Sequence, residues 1–175
     1  MSGREERFTA LARDVGPRVL AYAVRRTRAP EDAADVLSET LLVTWRRLDT
    51  VPAERDEALL WMFGAARRVL ANQRRGRRRG DALVERLRDH LEASVPPPDP
   101  AGSEIRAALA SLPQGDRELL SLVAWEGLDV SSAGRVLGIR PAAARKRLQR
   151  ARQRLREALE EEVPLAALVP SPEPD

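Results

Sequence analysis

Apolar residues recur every three or four positions in three stretches of the first half of the chain, which is the spacing of an amphipathic helix. The pattern predicts helices over residues 8–28, 31–48 and about 58–75, with breaks at Ala29-Pro30 and around Val51-Pro52. We expect one face of each helix to pack into a shared core. The predicted core residues are Leu11, Val15, Val19, Ala23, Ala34, Leu37, Leu41, Trp45, Leu48, Leu59, Phe63, Ala66 and Leu70.

The second half of the chain repeats this periodicity, and Pro113, Gly127 and Gly138 interrupt it. The predicted helices cover residues near 103–111, 115–126, 130–137 and 141–162. A further short amphipathic helix is predicted over 81–93. It leads into 95–102, where prolines stiffen the chain and remove backbone donors.

These elements predict an all-α protein made of two small helical domains. The aromatic content is only 3%, and most glycines and prolines lie between the periodic segments, which argues against an all-β fold. The predicted organisation is a first domain over 1–80, a linker over 81–102, a second domain over 103–162 and a loose C-terminal tail over 163–175.

Charge changes the picture, because a formal net charge of +3 conceals a strong asymmetry. Residues 67–79 hold seven arginines and no acid, and residues 135–156 hold nine basic residues and no acid. Two basic blocks without compensating acids indicate a polyanion that the chain contacts at two places. The alternative is that each block is an ordinary solvated helix face.

The residue types needed for most cofactor chemistry are scarce. The chain has no cysteine and one histidine, His90, so disulfides and thiolate metal sites are excluded. No apolar run approaches the length of a membrane span, and no signal-peptide core follows the N-terminus. We expect a soluble cytoplasmic protein that has no metal, no cofactor and no enzymatic activity.

Residues 128–159 predict a short helix, a tight turn at Gly138 and a long basic helix, which is the layout of a helix-turn-helix. On the long helix, Ala144, Leu148, Leu155 and Leu159 share the face that would pack inward. Small and polar residues on the other side could approach base edges, while arginines hold phosphates. The alternative is a bundle helix with a hydrated basic face.

Two exposed faces are predicted in the first half. On the 31–48 helix, Asp32, Asp35 and Glu39 lie beside Leu42 and Val43, and acids next to apolar groups are typical of a protein-binding patch. On the third helix, an aromatic ring, an amide and guanidiniums share a strip suited to single-stranded DNA. The strip comprises Trp61, Ala65, Arg68, Asn72 and Arg75. Trp61 could instead be a partly buried core residue.

Both halves resemble the sigma-70 family, and the extracytoplasmic-function group is the most similar. The stretch 32–45 resembles the domain-two helix that grips the clamp coiled coil of the polymerase β′ subunit, and 61–75 resembles the surface that melts and recognises the minus-ten element. Residues 109–113, 117–120, 126–128, 137–139 and 147–152 resemble domain four, which binds the minus-thirty-five element and the β flap.

The resemblance implies a sigma factor whose partners are core RNA polymerase and promoter DNA, with an anti-sigma factor as a further partner. The implied duplex-binding residues are Ala142, Ala143, Lys146, Arg147, Gln149, Arg150 and Arg154. The implied single-strand contacts are Trp61, Arg68, Asn72 and Arg75. The implied polymerase contacts are Asp32, Asp35, Glu39, Leu42 and Val43.

The chain departs from the family pattern at three positions of the second domain. Ser132 stands where Glu is usual, Gly134 where Ala is usual, and Arg140 where Ser or Thr would cap the recognition helix. Glycine inside a helix costs about 1 kcal/mol relative to alanine. Pro141 suits the first helical position.

Three other functions remain open from sequence. An autonomous helix-turn-helix regulator would need only the second half. A degenerate sigma-like module would bind protein but not DNA. A metal-dependent nuclease would need ligands that do not accompany Asp32, Asp35 and Glu39.

Overall fold

The computed structural model describes residues 3–27, 29–88 and 100–162, and all regular secondary structure in these ranges is helical. This confirms the predicted all-α fold class. The chain divides into two compact units, Met1–Ser94 and Val95–Asp175. Within the described residues, no helix combines the length and apolarity that crossing a bilayer requires.

Three helices that pack pairwise against one another build the first unit. They are α1 (Gly3–Val24), α2 (Pro30–Arg46) and α3 (Arg55–Arg88), with a 3-10 turn at Leu48–Thr50 between α2 and α3. The core contains the ring of Tyr22, whose centroid lies 5.1 Å from that of Phe63. Both side chains are fully buried, as are Val15 and Val19 to within 2%.

The third helix is longer than the sequence predicts. One helix of 34 residues runs from Arg55 to Arg88, where the periodicity predicts a helix to about 75 and a separate helix over 81–93. The stretch 76–88 contains no proline, and its glycines are outnumbered by arginine and leucine, which favour helix. Half of the predicted linker (residues 89–99, which include His90) and the tail from 163 lie outside the described residues.

The buried face of α2 differs from the predicted stripe by about a quarter-turn at 100° per residue. Ala34 is exposed rather than buried, and Leu37, Leu41 and Trp45 are only half-buried. The fully buried positions are Ala33, Val36, Thr40 and Thr44.

Two threonines explain this rotation. The Thr40 hydroxyl donates to the Val36 carbonyl at 2.6 Å, and the Thr44 hydroxyl donates to the Thr40 carbonyl at 2.8 Å. Because each buried hydroxyl has a partner, its burial is not penalised. A pattern that counts threonine as polar therefore misplaces the buried face of α2 by one residue.

The start of α1 is fastened to the connection between α2 and α3. Arg4 donates to both carboxylate oxygens of Asp49, at 2.9 and 3.0 Å, and to the Trp45 carbonyl at 2.8 Å. Arg7 donates to the Leu48 carbonyl at 3.1 Å. The Trp45 ring meets Phe8 edge-on at 5.2 Å, so this tryptophan is a packing residue.

The second unit has four helices, and α7 packs against the other three. They are α4 (Pro100–Ser111), α5 (Gln114–Ala124), α6 (Val130–Leu137) and α7 (Pro141–Glu162). Leu119, Leu122, Ala133, Ala144 and Leu148 supply much of the core. The bounds of α6 and α7 coincide with the predicted ones, and the inward-facing Ala144 and Leu148 are buried as predicted.

Local interactions define both ends of α6 and the turn that leads to α7. The Asp129 carboxylate caps α6 by accepting from the backbone N–H groups of Ser131 and Ser132, at 2.8 and 3.0 Å. Gly138 ends α6 with φ 70° and ψ 31°, a left-handed conformation that favours glycine. The Ile139 N–H then donates to the Gly134 carbonyl at 2.9 Å.

The packing of α6 against α7 explains the glycine at position 134, which the sequence alone did not. A Cβ atom at this position would lie 3.1 Å from the Ala144 Cβ and 3.1 Å from the Ile139 carbonyl oxygen. Glycine therefore lets α6 approach α7 closely, which offsets its cost in helix propensity.

Candidate nucleic-acid interface

The outer face of α7 presents cations and amides to solvent. Lys146, Gln149, Arg150, Gln153 and Arg156 surround a shallow concavity of about 600 Å³, and none of them is buried. None of the described carboxylates pairs with Lys146 or Arg150. Ala142 and Ala143, one turn earlier, are exposed and small. This face can approach a major groove closely and meet it with positive charge.

The two amides of this face differ in their hydrogen bonds. Gln153 donates to the Glu157 carboxylate at 2.8 Å, and Arg156 donates to the Gln153 side-chain oxygen at 2.6 Å. Gln149 has no hydrogen bond among the described residues. A polar hydrogen-bonding group in the first half of the helix is therefore available to a base edge.

The structure turns two of the predicted duplex-binding residues away from this face. Arg147 lies 3.5 Å from the carboxylate of Asp116 on α5, and Arg154 forms an ion pair with the same carboxylate. Periodicity alone had placed Arg154 on the outer face. The buried position of Asp116, with 6% of the residue exposed, draws both guanidiniums toward α5 because an uncompensated buried charge is costly.

The strip predicted on α3 is only partly exposed. Arg68, Asn72 and Arg75 are exposed, Trp61 is half-buried, and Ala65 is buried at 3%. The exposure predicted for Ala65 is therefore wrong. The reason is that α3 packs against both α1 and α2, so its buried face is wider than one apolar stripe.

Ala65 instead forms the floor of a groove between α2 and α3. The groove has a volume of about 430 Å³ and an apolar base formed by Val43, Ala65 and Val69. Arg47, Arg68 and Asn72 line the rest of it. Arg75 donates a hydrogen bond to the Asn72 side-chain oxygen, which fixes the orientation of the amide. The arrangement combines positive charge, an amide and an apolar surface within one helix pair.

The acidic face of α2 lies beside this groove. Asp35 and Glu39 are exposed, Asp32 is half-buried, and Leu42 is 53% exposed. Val43 is half-buried because it also lines the groove. An exposed leucine beside carboxylates suits a partner that offers an apolar contact next to cations.

Among the described residues, no three acidic or histidine side chains come together as metal ligands would. The pKa of Asp129 is lowered, chiefly by the hydrogen bond from the Ser132 hydroxyl, with further lowering by the backbone N–H of Ser132. That carboxylate is a helix cap rather than a reactive group.

Sequence reasoning missed Asp116 and Arg47. Asp116 follows Pro113 in the first turn of α5, where an acid is expected for the helix dipole, so nothing local marked it as a partner of α7. Arg47 follows the last residue of α2 and lines the groove only because this end of α2 lies beside α3. Both depend on contacts between helices.

Two family models match the chain, Sigma-70 region 2 over residues 11–80 and Sigma-70 region 4 over residues 103–155. The chain is 36% identical over 148 residues to the ECF RNA polymerase sigma factor SigF of Caulobacter vibrioides, covering 83% of this chain and 81% of that protein. It is 32% identical over 163 residues to the RNA polymerase sigma factor CarQ of Myxococcus xanthus, covering 91% and 92%.

The fold is similar to that of a solved sigma factor, RpoE from Bartonella quintana, in its complex with the anti-sigma factor NepR. The TM-score is 0.64 at 24% sequence identity, and the match covers 89% of this chain and 98% of that one. At this identity the similarity concerns the fold.

Proposed function

The chain belongs to the sigma-70 family, in its extracytoplasmic-function group, and we propose that it performs the work of a sigma factor through three surfaces. It directs transcription initiation together with core RNA polymerase and promoter DNA. The three surfaces are the outer face of α7, the groove between α2 and α3, and the acidic face of α2.

The observation that carries the assignment of α7 is its unpaired cationic face on a helix-turn-helix. Lys146 and Arg150 are one turn apart, exposed, and without a carboxylate partner among the described residues. Together with Ala142, Ala143 and Gln149 they form the proposed contact with minus-thirty-five duplex. Arg147 and Arg154 are left out of this contact set because Asp116 holds them.

The groove between α2 and α3 is the proposed contact with the minus-ten single strand. Arg68 and Asn72 line the groove and Arg75 bonds to Asn72, so these residues supply charge and hydrogen bonds, and the half-buried Trp61 on the same helix supplies an aromatic surface. Asp32, Asp35, Glu39, Leu42 and Val43 form the proposed contact with the β′ clamp. The second unit is the proposed partner of the β flap.

The remaining proposals concern the setting in which the protein acts. We assign it to the cytoplasm, with no catalytic activity and no cofactor of its own. An anti-sigma factor is a proposed further partner. The proposed domains are 1–80 and 103–162, joined by 81–102 and followed by a tail over 163–175.

Run-off transcription with core RNA polymerase and genomic promoter fragments tests the function. Start sites should appear only when the protein is added. An autonomous regulator would bind DNA without creating start sites, and a degenerate module would bind polymerase without creating them.

Matched variants test the surfaces in the same assay. Lys146→Ala with Arg150→Ala should weaken binding to closed promoter duplex by about 1–3 kcal/mol for each side chain that recognises a base. Arg145→Ala with Arg152→Ala removes two exposed cations from the same helix, on the side nearer Leu148, and should have a smaller effect. If both pairs of substitutions weakened binding equally, the outer face would contribute only its overall positive charge and no specific contacts.

The acidic face of α2 has its own control. Asp35→Arg with Glu39→Arg should abolish copurification with core polymerase and leave helicity unchanged, since both side chains are exposed. Glu6→Arg with Asp14→Arg makes the same change in charge on exposed positions of α1 and should leave binding intact. Polymerase binding by the first variant would contradict the assignment.

A further inference from the structure

Asp116 is a buried carboxylate that two arginines of α7 share, and neither arginine is buried with it. Its side chain is 8% exposed, while those of Arg147 and Arg154 are 38% and 49% exposed. The two arginines are seven residues apart, about two turns, so they project from the same side of α7. The carboxylate thus holds both guanidiniums at the border between the α5 contact and the outer face.

From this geometry we propose that Asp116 is a specificity-determining residue, which withholds Arg147 and Arg154 from DNA phosphates. The inference rests on the proposed function of α7 as the duplex-binding helix. Phosphate contacts raise affinity for every sequence, whereas base contacts discriminate between sequences. Because Asp116 pairs with two arginines of α7, the helix binds non-promoter DNA more weakly. Its affinity for DNA then depends more on contacts made by Lys146, Gln149 and Arg150.

The packing around Arg147 favours its ion pair with Asp116. A Cβ atom at Gly115, the residue before Asp116, would lie 3.2 Å from Nη1 of Arg147. The guanidinium therefore lies against a position where there is no side chain to displace it. The Asp116 carboxylate holds this arginine, and the glycine beside it leaves room for the guanidinium.

The arginines could reach DNA if they were released. Lys146 and Arg150 lie on either side of Arg147 in sequence and belong to the outer face, and arginine has a long flexible side chain. Replacing Asp116 with asparagine keeps the shape of the side chain but removes the charge that attracts both guanidiniums. The number of phosphates neutralised should then rise by up to two.

The salt dependence of DNA binding measures this number directly. Each phosphate contact adds about −0.9 to the slope of log K against log salt on duplex DNA. For holoenzyme that contains Asp116→Asn, we expect a slope steeper by up to about 1.8 on promoter and non-promoter duplex, so that affinity falls about tenfold further between 50 and 200 mM salt. The ratio of promoter to non-promoter affinity should fall.

Two further variants separate this role from a purely structural one. Arg147→Gln with Arg154→Gln in the Asp116→Asn background should return the slope to that of the unmodified protein. Glu160→Gln changes the charge of an exposed position on α7 by the same amount and should leave the slope unchanged. An unchanged slope in Asp116→Asn, with circular dichroism showing a folded chain, would overturn the inference.

If Asp116→Asn does not fold, single substitutions of the arginines test whether Arg147 and Arg154 contact DNA phosphates. Arg147→Gln and Arg154→Gln each leave Asp116 one partner, and neither should alter the slope if the arginines are withheld from DNA. A slope shallower by about 0.9 in either variant would show that the arginine already contacts a phosphate. Unmodified holoenzyme that fails to prefer promoter DNA would contradict the proposed function instead.

Discussion

Replacing Gly134 with alanine should destabilise the second unit, although the same replacement at Gly64 should stabilise the first. Both glycines lie inside helices. A Cβ atom at Gly134 would lie 3.1 Å from the Ala144 Cβ and from the Ile139 carbonyl oxygen, whereas a Cβ at Gly64 would meet nothing within 4 Å. The atoms near Gly134 are fixed by the backbone, so no side-chain rotation can make room.

The expected magnitudes follow from two opposing effects. Alanine gains about 1 kcal/mol over glycine in a helix, through reduced entropy of the unfolded chain and better propensity. Forcing a methyl group into a packed contact costs about 1–3 kcal/mol. Gly134→Ala should therefore lower the free energy of unfolding of the second unit by up to about 2 kcal/mol. Gly64→Ala should raise that of the first by about 0.5–1 kcal/mol.

Hydrogen exchange of the full chain is the suitable assay, because the two units need not unfold together. Peptides from α6 and α7 report the second unit, and peptides from α3 report the first. For domains of this size, 1 kcal/mol corresponds to a shift in Tm of about 4–8 °C. If Gly134→Ala protects α6 and α7 as much as Gly64→Ala protects α3, the close approach of α6 to α7 does not constrain residue 134.

Two further predictions concern acid stability and the first core. The pKa of Asp129 is lowered mainly by the Ser132 hydroxyl, so its stabilising effect is present above the unfolded value near pH 4 and is lost as pH falls through the lower folded value. With Asp129→Asn, the free energy of unfolding of the second unit should therefore fall less steeply as the pH is lowered from about 5 to 2, as measured by denaturant unfolding at each pH. An equally steep fall in the variant and the unmodified protein would contradict this. Phe63→Ala removes a fully buried ring beside Tyr22 and should cost the first unit about 3–5 kcal/mol in denaturant unfolding. A decrease below about 1 kcal/mol would mean that the ring is not part of the core.

The elements that the sequence predicted best are those defined by local chemistry. The bounds of α6 and α7 were correct because Asp129 caps one helix, Gly138 ends it in a left-handed conformation, and Pro141 begins the next. Each signal acts within a few residues of its effect. The helix-turn-helix and its exposed Lys146 and Arg150 could therefore be predicted without knowledge of the fold.

The features that the sequence did not predict depend on contacts between helices. The buried side of α2 was misplaced because Thr40 and Thr44 satisfy their hydroxyls within the helix, which a polar classification overlooks. Ala65 was expected to be exposed because the periodicity of α3 shows one apolar stripe, whereas the helix packs against both α1 and α2. The ion pairs of Asp116 join residues 38 positions apart in the case of Arg154, and no spacing rule connects them.

Two contacts on neighbouring sides of α7 fix different properties of its outer face. Gly134 against Ala144 sets how closely α6 approaches α7, whereas Asp116 with Arg147 and Arg154 sets which cations remain available. A change in the first should alter which base edges the helix reaches while leaving the number of neutralised phosphates unchanged. A change in the second should alter that number. Because the two contacts share no side chain, their effects on DNA binding should be nearly additive, and a double-mutant cycle of Gly134→Ala with Asp116→Asn should show coupling below about 0.5 kcal/mol. Larger coupling would mean that the ion pairs also determine the spacing of the two helices.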